Sequence, residues 1–358
     1  MGKRIVIMAG GTGGHVFPAL AVAELLKEQG WQVSWLGTQK GLESRVIPAS
    51  GIEIDWLSVA GVRGKGLTAK ITAVFMLLKA GVQAMTILRK RKPDVVLGMG
   101  GFVAGPGGLM AKLLGLPLVI HEQNRIPGTT NRLLARWSNQ VLEAFPDSFN
   151  AKIKAKCTGN PLRKQFLTAL ENDRQQSENE VRIFVFGGSQ GAQILNETVP
   201  EAIAELLSTG LQTQAVQIKH QTGAAMLSQV ESRYQDLAIK AETSAFIEDM
   251  VAAYQWADLV ICRAGAMTVS EVSAMGIPAI FIPLPGAIDD HQTANARYLT
   301  DAGAGLLLRQ KDLNPVTLAE QITEALKKLP AMSTAAKHCA RLDATAVVAG
   351  YCSTEAGL

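Results

Sequence analysis

The 358-residue chain has little of what marks several large protein classes. Aromatic residues make up only 5% and no recognised DNA- or RNA-binding motif is visible, so the stacking surfaces of a nucleic-acid binder are lacking. The four cysteines, Cys157, Cys262, Cys339 and Cys352, have no C-x-x-C spacing, which excludes a disulfide scaffold and suits a reducing compartment. No Asp-x-Asp occurs, and Asp289-Asp290-His291 has no further ligand-type neighbours, so neither a metal site nor a cofactor is expected. The N-terminal MGKRIVIMAGG has too short an apolar run for a secretory signal and reads as a buried first strand of a cytosolic protein.

What is present suffices for two cored domains: hydrophobic residues are 47% and charged residues 18%. Net charge is only +4, but residues 1–164 hold 22 Lys/Arg against 9 Asp/Glu, and the remainder 13 against 22. A basic half joined to an acidic half implies that one half faces something anionic.

The two halves open alike. An apolar strand at 4–8 runs into Gly10-Gly11-Thr12-Gly13-Gly14-His15, and another at 181–186 runs into Gly187-Gly188-Ser189-Gln190-Gly191. A helical pattern follows each, from Ala19 and from Ile194. Further continuous Val/Ile/Leu runs at 33–36, 95–97, 118–120, 141–142, 216–220, 259–262 and 279–282 fit parallel strands buried on both faces. The fold class is α/β: two doubly wound Rossmann-like domains with parallel sheets facing across a cleft. The boundary falls near Gly159-Asn160-Pro161, giving domains 1–163 and 164–340. A linker is expected between Pro161 and Glu180, and a C-terminal helix at about 341–358 is expected to pack back on the first domain.

The first glycine loop is not a dinucleotide fingerprint, since Val16 stands at the third glycine position and no acid ends the second strand. It is either a tight turn or a place where substrate approaches backbone, with His15 at a helix N-terminus suited to act as a neutral base. The cluster Gly98-Met99-Gly100-Gly101 through Gly107-Gly108 has more glycines than one turn needs and reads as a backbone surface for phosphate or sugar. Glu122 and Asn124, at a strand's carboxyl end, are either substrate contacts or part of a capped turn. At Ala266 a helix begins whose N–H groups, with the Thr268 and Ser270 hydroxyls, could hold a diphosphate, and Glu271 could reach a ribose diol. A simple helix start is the alternative.

Six motifs occur in order: GGTGGHVFPAL at 10–20, GMGGFVAGPGG at 98–108, HEQN at 121–124, GNPLR at 159–163, GGSQGA at 187–192 and RAGAMTVSE at 263–271. Together they resemble the MurG family, glycosyltransferases of family 28 with the GT-B fold. The resemblance implies inverting, metal-independent transfer of GlcNAc from UDP-GlcNAc to the 4-hydroxyl of MurNAc in undecaprenyl-linked lipid I, forming lipid II for peptidoglycan. It implies His15 as base with Glu122 as rival. UDP-GlcNAc contacts would come from Thr12, Gly13, Gly14, Asn124, Arg163, Ser189, Ile247, Arg263, Ala266, Met267, Thr268, Val269, Ser270, Glu271 and Gln292. Further cell-wall synthesis and division proteins are implied as partners, and nucleic acid is not. The family more often has Tyr at Phe102 and Ser at Ala264. A UDP-sugar 2-epimerase and a glycolipid synthase are the rival enzymes.

Between Asp55 and Asp94 there is no acidic residue, while Arg63, Lys65, Lys70, Lys79 and Arg89–Lys92 are all basic. Leu67, Ile71, Val74, Phe75, Leu78, Val82 and Met85 recur at one-face helical spacing, and Leu77, Ile87 and Leu88 fall off that face as groups to spare. Lys79, Gly81 and Gln83 interrupt the stretch, so it cannot span a bilayer. The expectation is a peripheral patch, with Ile71, Phe75 and Leu78 ringed by Lys70, Lys79 and Arg89. It would enter anionic inner-leaflet phospholipid on the cytoplasmic face of the bacterial inner membrane.

Overall fold

The computed structural model describes residues 2–59, 67–171, 180–208, 216–286 and 288–358, with the side chains of 67–73 and of Ile288 excepted. Arg63 and Lys65, the side chains of Lys70 and Ile71, and residues 172–179 of the expected linker lie outside the described residues. Two compact units are present, one of residues 1–163 with 341–358 and one of 164–340.

The first unit is built on a parallel sheet of β1 (Arg4–Met8), β2 (Gln32–Gly37), β3 (Glu53–Trp56), β4 (Val95–Gly98), β5 (Leu118–Glu122), β6 (Gln140–Glu143) and β7 (Lys156–Cys157), in the order β3-β2-β1-β4-β5-β6-β7. Side chains alternate between two buried layers. Ile5 and Ile7 join Val22, Leu26 and Trp35 on one face, and Val6 and Met8 join Leu36, Val96 and Ile120 on the other. Unbroken apolar runs are therefore what this sheet requires. The C-terminal helix Ala344–Glu355 packs Val348, Ala349 and Cys352 into the first of these layers.

The second unit repeats the plan with β8 (Val181–Phe186), β9 (Val216–Gln221), β10 (Ala241–Ser244), β11 (Leu259–Cys262), β12 (Ala279–Phe281) and β13 (Gly305–Leu307), ordered β10-β9-β8-β11-β12-β13. In each sheet the strand order reverses beside the first strand, at β1/β4 and at β8/β11, where ligands of doubly wound sheets bind. The glycine loops after β1 and β8 and the turn after β11 sit at these points.

Three expectations need correction. The stretch after Pro161 is not all linker: the helix Lys164–Ala169 buries Phe166 completely, with its ring 6.0 Å from that of Tyr254 in the second unit. The helix after the first glycine loop begins at Gly13 rather than Ala19, so Gly13, Gly14 and His15 form its first turn. In the helix Leu67–Arg91, Leu88 is not spare but buried with Ala80 and Ala84, while the face bearing Val74, Phe75, Leu78 and Val82 is exposed. Two alanines four residues apart allow the close approach of the neighbouring helix Ala104–Leu113.

Gly191 and Gly188 both have positive φ, 75° and 96°, yet their surroundings differ. A Cβ on Gly191 would overlap the carbonyl of Thr222, whereas one on Gly188 would meet nothing within 4 Å. Gly188→Ala is expected to cost about 1–2 kcal/mol of strain. Gly191→Ala should cost clearly more, read by calorimetry as the larger drop in unfolding temperature.

Candidate active site

In the first unit the carboxyl ends of β1, β4 and β5 bring two of the glycine clusters together. A Cβ on Gly101 (φ 80°) would strike the carbonyl of Gly10, and one on Gly100 would lie 2.9 Å from the His15 imidazole. On the helix after β4, a Cβ on Gly107 would strike the Met8 sulfur and one on Gly108 would lie 2.8 Å from Leu134. Much of this second cluster thus serves close packing of loop on loop and helix on sheet, a correction to its reading as a ligand-wrapping surface. The Gly11 N–H donates to Glu43, a fully buried carboxylate that also accepts from the Thr38 N–H and hydroxyl. Glu43 escaped the sequence reading because it lies on a seven-residue helix with no motif around it.

His15 is half-buried, and its Nδ1 lies 2.7 Å from Oε1 of Gln123. Its Nε2 has no hydrogen-bond partner among the described residues. Thr12 stands at the N-cap with no side-chain cap bond, so the first-turn N–H groups of Gly13 and Gly14 are not capped by it.

Glu122, the last residue of β5, is 2% exposed. Oε1 accepts from the Asn124 N–H (3.0 Å) and Nδ2 (3.3 Å), and Oε2 from the Gly128 N–H (3.0 Å) and Asn131 Nδ2 (2.9 Å). All four acceptor positions of the carboxylate are filled. This geometry suits a residue that shapes the Asn124 turn and leaves no lone pair for a substrate proton. Arg163 closes the first unit with its guanidinium 5.0 Å from the centre of the Phe17 ring.

In the second unit a pocket of about 660 Å³ opens over the glycine loop after β8, with Ser189, Arg263 and Gln292 among its lining residues. Gln190, part of the GGSQGA motif but not singled out as a contact, lines it too, as does Gln310, which nothing local in the sequence distinguishes. Arg263 is 9% exposed, and its guanidinium donates to the carbonyls of Ile282 (3.0 Å) and Pro283 (3.1 Å) and to Gln310 Oε1 (2.8 Å). No carboxylate among the described residues pairs with it, and burial lowers its pKa. A buried cation held only by neutral acceptors favours an arriving anion. Gln292 is oriented by the Leu284 N–H, which donates to its Oε1.

The helix Ala266–Met275 starts after Gly265, whose N-cap position brings no side-chain oxygen. The N–H groups of Ala266, Met267 and Thr268 are the helix's orphan donors. The Val269 N–H donates to Gly265 O and its side chain is fully buried, so any part it takes is in shaping this turn. Ser270 and Glu271 are half-buried on the next turn. Glu271 Oε2 accepts from the Tyr254 hydroxyl (3.2 Å), and the Tyr254 ring is held among Phe166, Phe184 and Phe186. Tyr254 was missed because a buried tyrosine's need for a partner does not say which carboxylate supplies it. Ile247 is half-buried between β10 and the helix Met250–Trp256 and does not line the pocket. No cluster of three or more His, Cys, Asp or Glu able to hold a metal occurs among the described residues.

Two family models cover most of the sequence, the glycosyltransferase family 28 N-terminal domain over residues 5–143 and the C-terminal domain over 182–348. The chain belongs to glycosyltransferase family 28. A curated family 28 relative from Methylococcus capsulatus is 58% identical over 360 residues, the whole of both chains. Its name is UDP-N-acetylglucosamine–N-acetylmuramyl-(pentapeptide) pyrophosphoryl-undecaprenol N-acetylglucosamine transferase. A relative of the same name from Shewanella sp. (strain ANA-3) is 48% identical across 98% of this chain and 97% of its own. The crystal structure of Acinetobacter baumannii MurG matches with a TM-score of 0.84 at 42% identity, covering 98% of this chain and 99% of that one. A UDP-GlcNAc 2-epimerase from Neisseria meningitidis, at 15% identity and TM-score 0.65 over 97% and 98% of the two chains, shares the fold alone.

Each unit of this family 28 chain buries one histidine completely enough to keep it neutral. His121, beside Glu122, has its pKa lowered to about 4 by burial. His220, between Tyr234 and Asn196, is lowered to about 3 for the same reason. The unfolded chain binds protons at both below about pH 6.5 while the folded chain does not, so stability is intact above that pH and falls below it. Each histidine contributes a slope of up to roughly 1 kcal/mol per pH unit, ending near pH 4 and pH 3 respectively. Thermal unfolding between pH 7.5 and 5 is expected to show the loss. A His220→Asn variant, weaker at pH 7.5, should lose less over the same interval.

Proposed function

We propose that this enzyme transfers N-acetylglucosamine from UDP-N-acetylglucosamine to the 4-hydroxyl of N-acetylmuramic acid in undecaprenyl-pyrophosphoryl-MurNAc-pentapeptide, with inversion, forming lipid II and UDP. The end-to-end 58% identity to a relative named for this transfer carries the reading. The local chemistry of both units agrees with it. His15 Nε2 takes the acceptor's hydroxyl proton as the oxygen attacks C1 of the sugar. The C1–O bond to the diphosphate breaks, and its electron pair leaves with UDP.

Negative charge growing on the departing diphosphate is met by the N–H groups of Ala266, Met267 and Thr268 and by the unpaired Arg263 cation. Glu271, steadied by Tyr254, accepts the ribose hydroxyls, and Ser270 and Ser189 assist the phosphates. Gln292 and Asn124 contact the sugar, and Thr12, Gly13 and Gly14 border it. Arg163 and the Ile247 backbone serve the UDP moiety. No metal is needed in this scheme. With lipid I analogue and UDP-GlcNAc in EDTA, wild type should turn over and His15→Ala should lose about 10²–10⁴ in kcat. Glu122→Gln, by contrast, should act through the disordered Asn124 turn and mainly raise KM. Full turnover by His15→Ala, or activity restored only by Mg²⁺, would overturn the scheme. A panel of other acceptors separates this reading from a glycolipid synthase.

The same reading places the enzyme at the cytoplasmic face of the inner membrane, held by the helix Leu67–Arg91. No described helix is long and apolar enough to cross a membrane. Support comes from Phe75, Leu78 and Val82, which are 69%, 63% and 69% exposed, with Lys79 and Arg89 exposed beside them. Exposed apolar residues continue as Leu109 and Leu113 on the adjoining helix Ala104–Leu113, which the sequence reading did not include. Each cation near an anionic bilayer adds about 1 kcal/mol, screened by salt. In vesicle co-sedimentation, wild type should prefer anionic over neutral lipid and lose binding at high salt. Phe75→Ser/Leu78→Ser and Lys79→Glu/Arg89→Glu should each weaken it. Equal binding to both vesicle types, or no change in either variant, would rule the patch out.

A further inference from the structure

We infer that a chain of hydrogen bonds from Gly159 through His121 and Gln123 fixes the tautomer of His15, holding the proton on Nδ1 and the lone pair on Nε2. His121 and Gln123 are then positioning residues for the base. The inference deepens the proposed function and rests on its reading of His15.

The order of donors and acceptors follows from one fixed point. The Gly159 carbonyl can only accept, and His121 Nε2 lies 2.9 Å from it, so Nε2 carries the proton and Nδ1 the lone pair. That lone pair faces Gln123 Nε2 at 3.0 Å, and the same amide nitrogen lies 3.1 Å from the His121 carbonyl. Both amide hydrogens are thereby used, and turning the amide over would set its oxygen against two acceptors. Gln123 Oε1 must therefore face His15, where it lies 2.7 Å from Nδ1 and accepts its proton. A neutral His15 is left with its lone pair on Nε2, the nitrogen without a partner among the described residues.

The relay is itself held in place. Gly159 O also accepts from the Thr158 hydroxyl (3.0 Å), and a Cβ on Gly159 would overlap the Arg341 side chain. Asn160 Nδ2 donates to the Gln123 carbonyl (3.1 Å), and Asn131 Nδ2 to that of His121 (3.1 Å). His121 and Gln123 are 0% and 1% exposed, so water does not compete for these bonds. Burial keeps His121 neutral, and the neighbouring Glu122 has its oxygens committed to Asn124, Gly128 and Asn131. When Nε2 takes the acceptor's proton, the Nδ1–H bond to Gln123 becomes charge-assisted and stronger, so the same contact also steadies the imidazolium.

The test is ¹⁵N NMR of histidine-labelled full-length protein, with the His15 signals assigned by their loss in His15→Gln. Wild type above pH 7.5 should show His15 as the Nδ1–H form. Gln123→Leu should shift it toward the Nε2–H form and lower kcat by about 10²-fold, while Kd for UDP-GlcNAc by calorimetry stays unchanged. Gln123→Glu, which keeps an acceptor for Nδ1–H but adds negative charge and sets an oxygen against the His121 lone pair, should move His15 toward the imidazolium and recover little of kcat. An Nε2–H form in wild type would overturn the inference without any change to Gln123. So would a tautomer indifferent to Gln123→Leu. The spectrum requires no turnover, so a wild type with the Nδ1–H form but no sugar transfer would sink the function and spare the relay.

Discussion

A carboxylate at 2% exposure needs donors for every lone pair, and Glu122 finds them all within nine residues of itself. The constraint runs outward from there. Accepting from the Asn124 N–H and Nδ2 turns the chain sharply after β5, and accepting from Gly128 and Asn131 ties the next helix start to the same point. Gln123, between the strand end and the turn, is left with its amide directed at two histidines. The HEQN segment is thus one unit of structure in which the acid holds the frame, the amide transmits direction and the asparagine borders the open side. Removing the acid would leave three segments with unmet donors rather than one missing catalytic group.

This explains what the sequence made legible and what it did not. The strands that begin each unit, the loops after them and the helix start at Ala266 could be read because continuous apolar runs and glycine punctuation are local signals. The edge strands β3, β7, β10 and β13 went unnoticed. They are short; Glu53–Trp56 carries two acids, and Ala241–Ser244 an acid with two small polar residues, as edges facing water do. The helix from Gly13 was placed too late because its first turn is made of residues that favour loops. Its start is imposed by the close approach of Gly100 and Gly101, which lie far along the chain. Glu43 and Tyr254 act on Gly11 and Glu271 across 32 and 17 residues, with nothing in either neighbourhood to announce the pairing.

The two units share a plan yet treat charge in opposite ways. At its switch point the first unit has an imidazole tied to a neutral amide and a carboxylate already satisfied by the protein. The second has an arginine whose partners among the described residues are carbonyls and an amide, next to uncapped helix N–H groups. A fold shared with a UDP-GlcNAc 2-epimerase at 15% identity cannot distinguish such chemistries. The distinction lies in which buried groups are left unneutralised. An unneutralised cation calls for an anion, and an imidazole with one nitrogen tied to an amide calls for a proton from a neutral hydroxyl.

The choice of an amide rather than a carboxylate as the partner of His15 Nδ1 then gains a reason. A carboxylate there would favour the imidazolium over the neutral ring, as opposite charges do at this range. Beside an anionic membrane surface the local proton concentration is already higher: a potential of about −30 mV is equivalent to about half a pH unit. On the proposed reading, both effects would protonate the base before the acceptor arrived. Gln123 orients the ring without adding negative charge, and the acid beside it in the chain, Glu122, has its oxygens bonded to Asn124, Gly128 and Asn131. On that reading, the neutral relay orients the base without drawing further protons to it beside a surface that already attracts them.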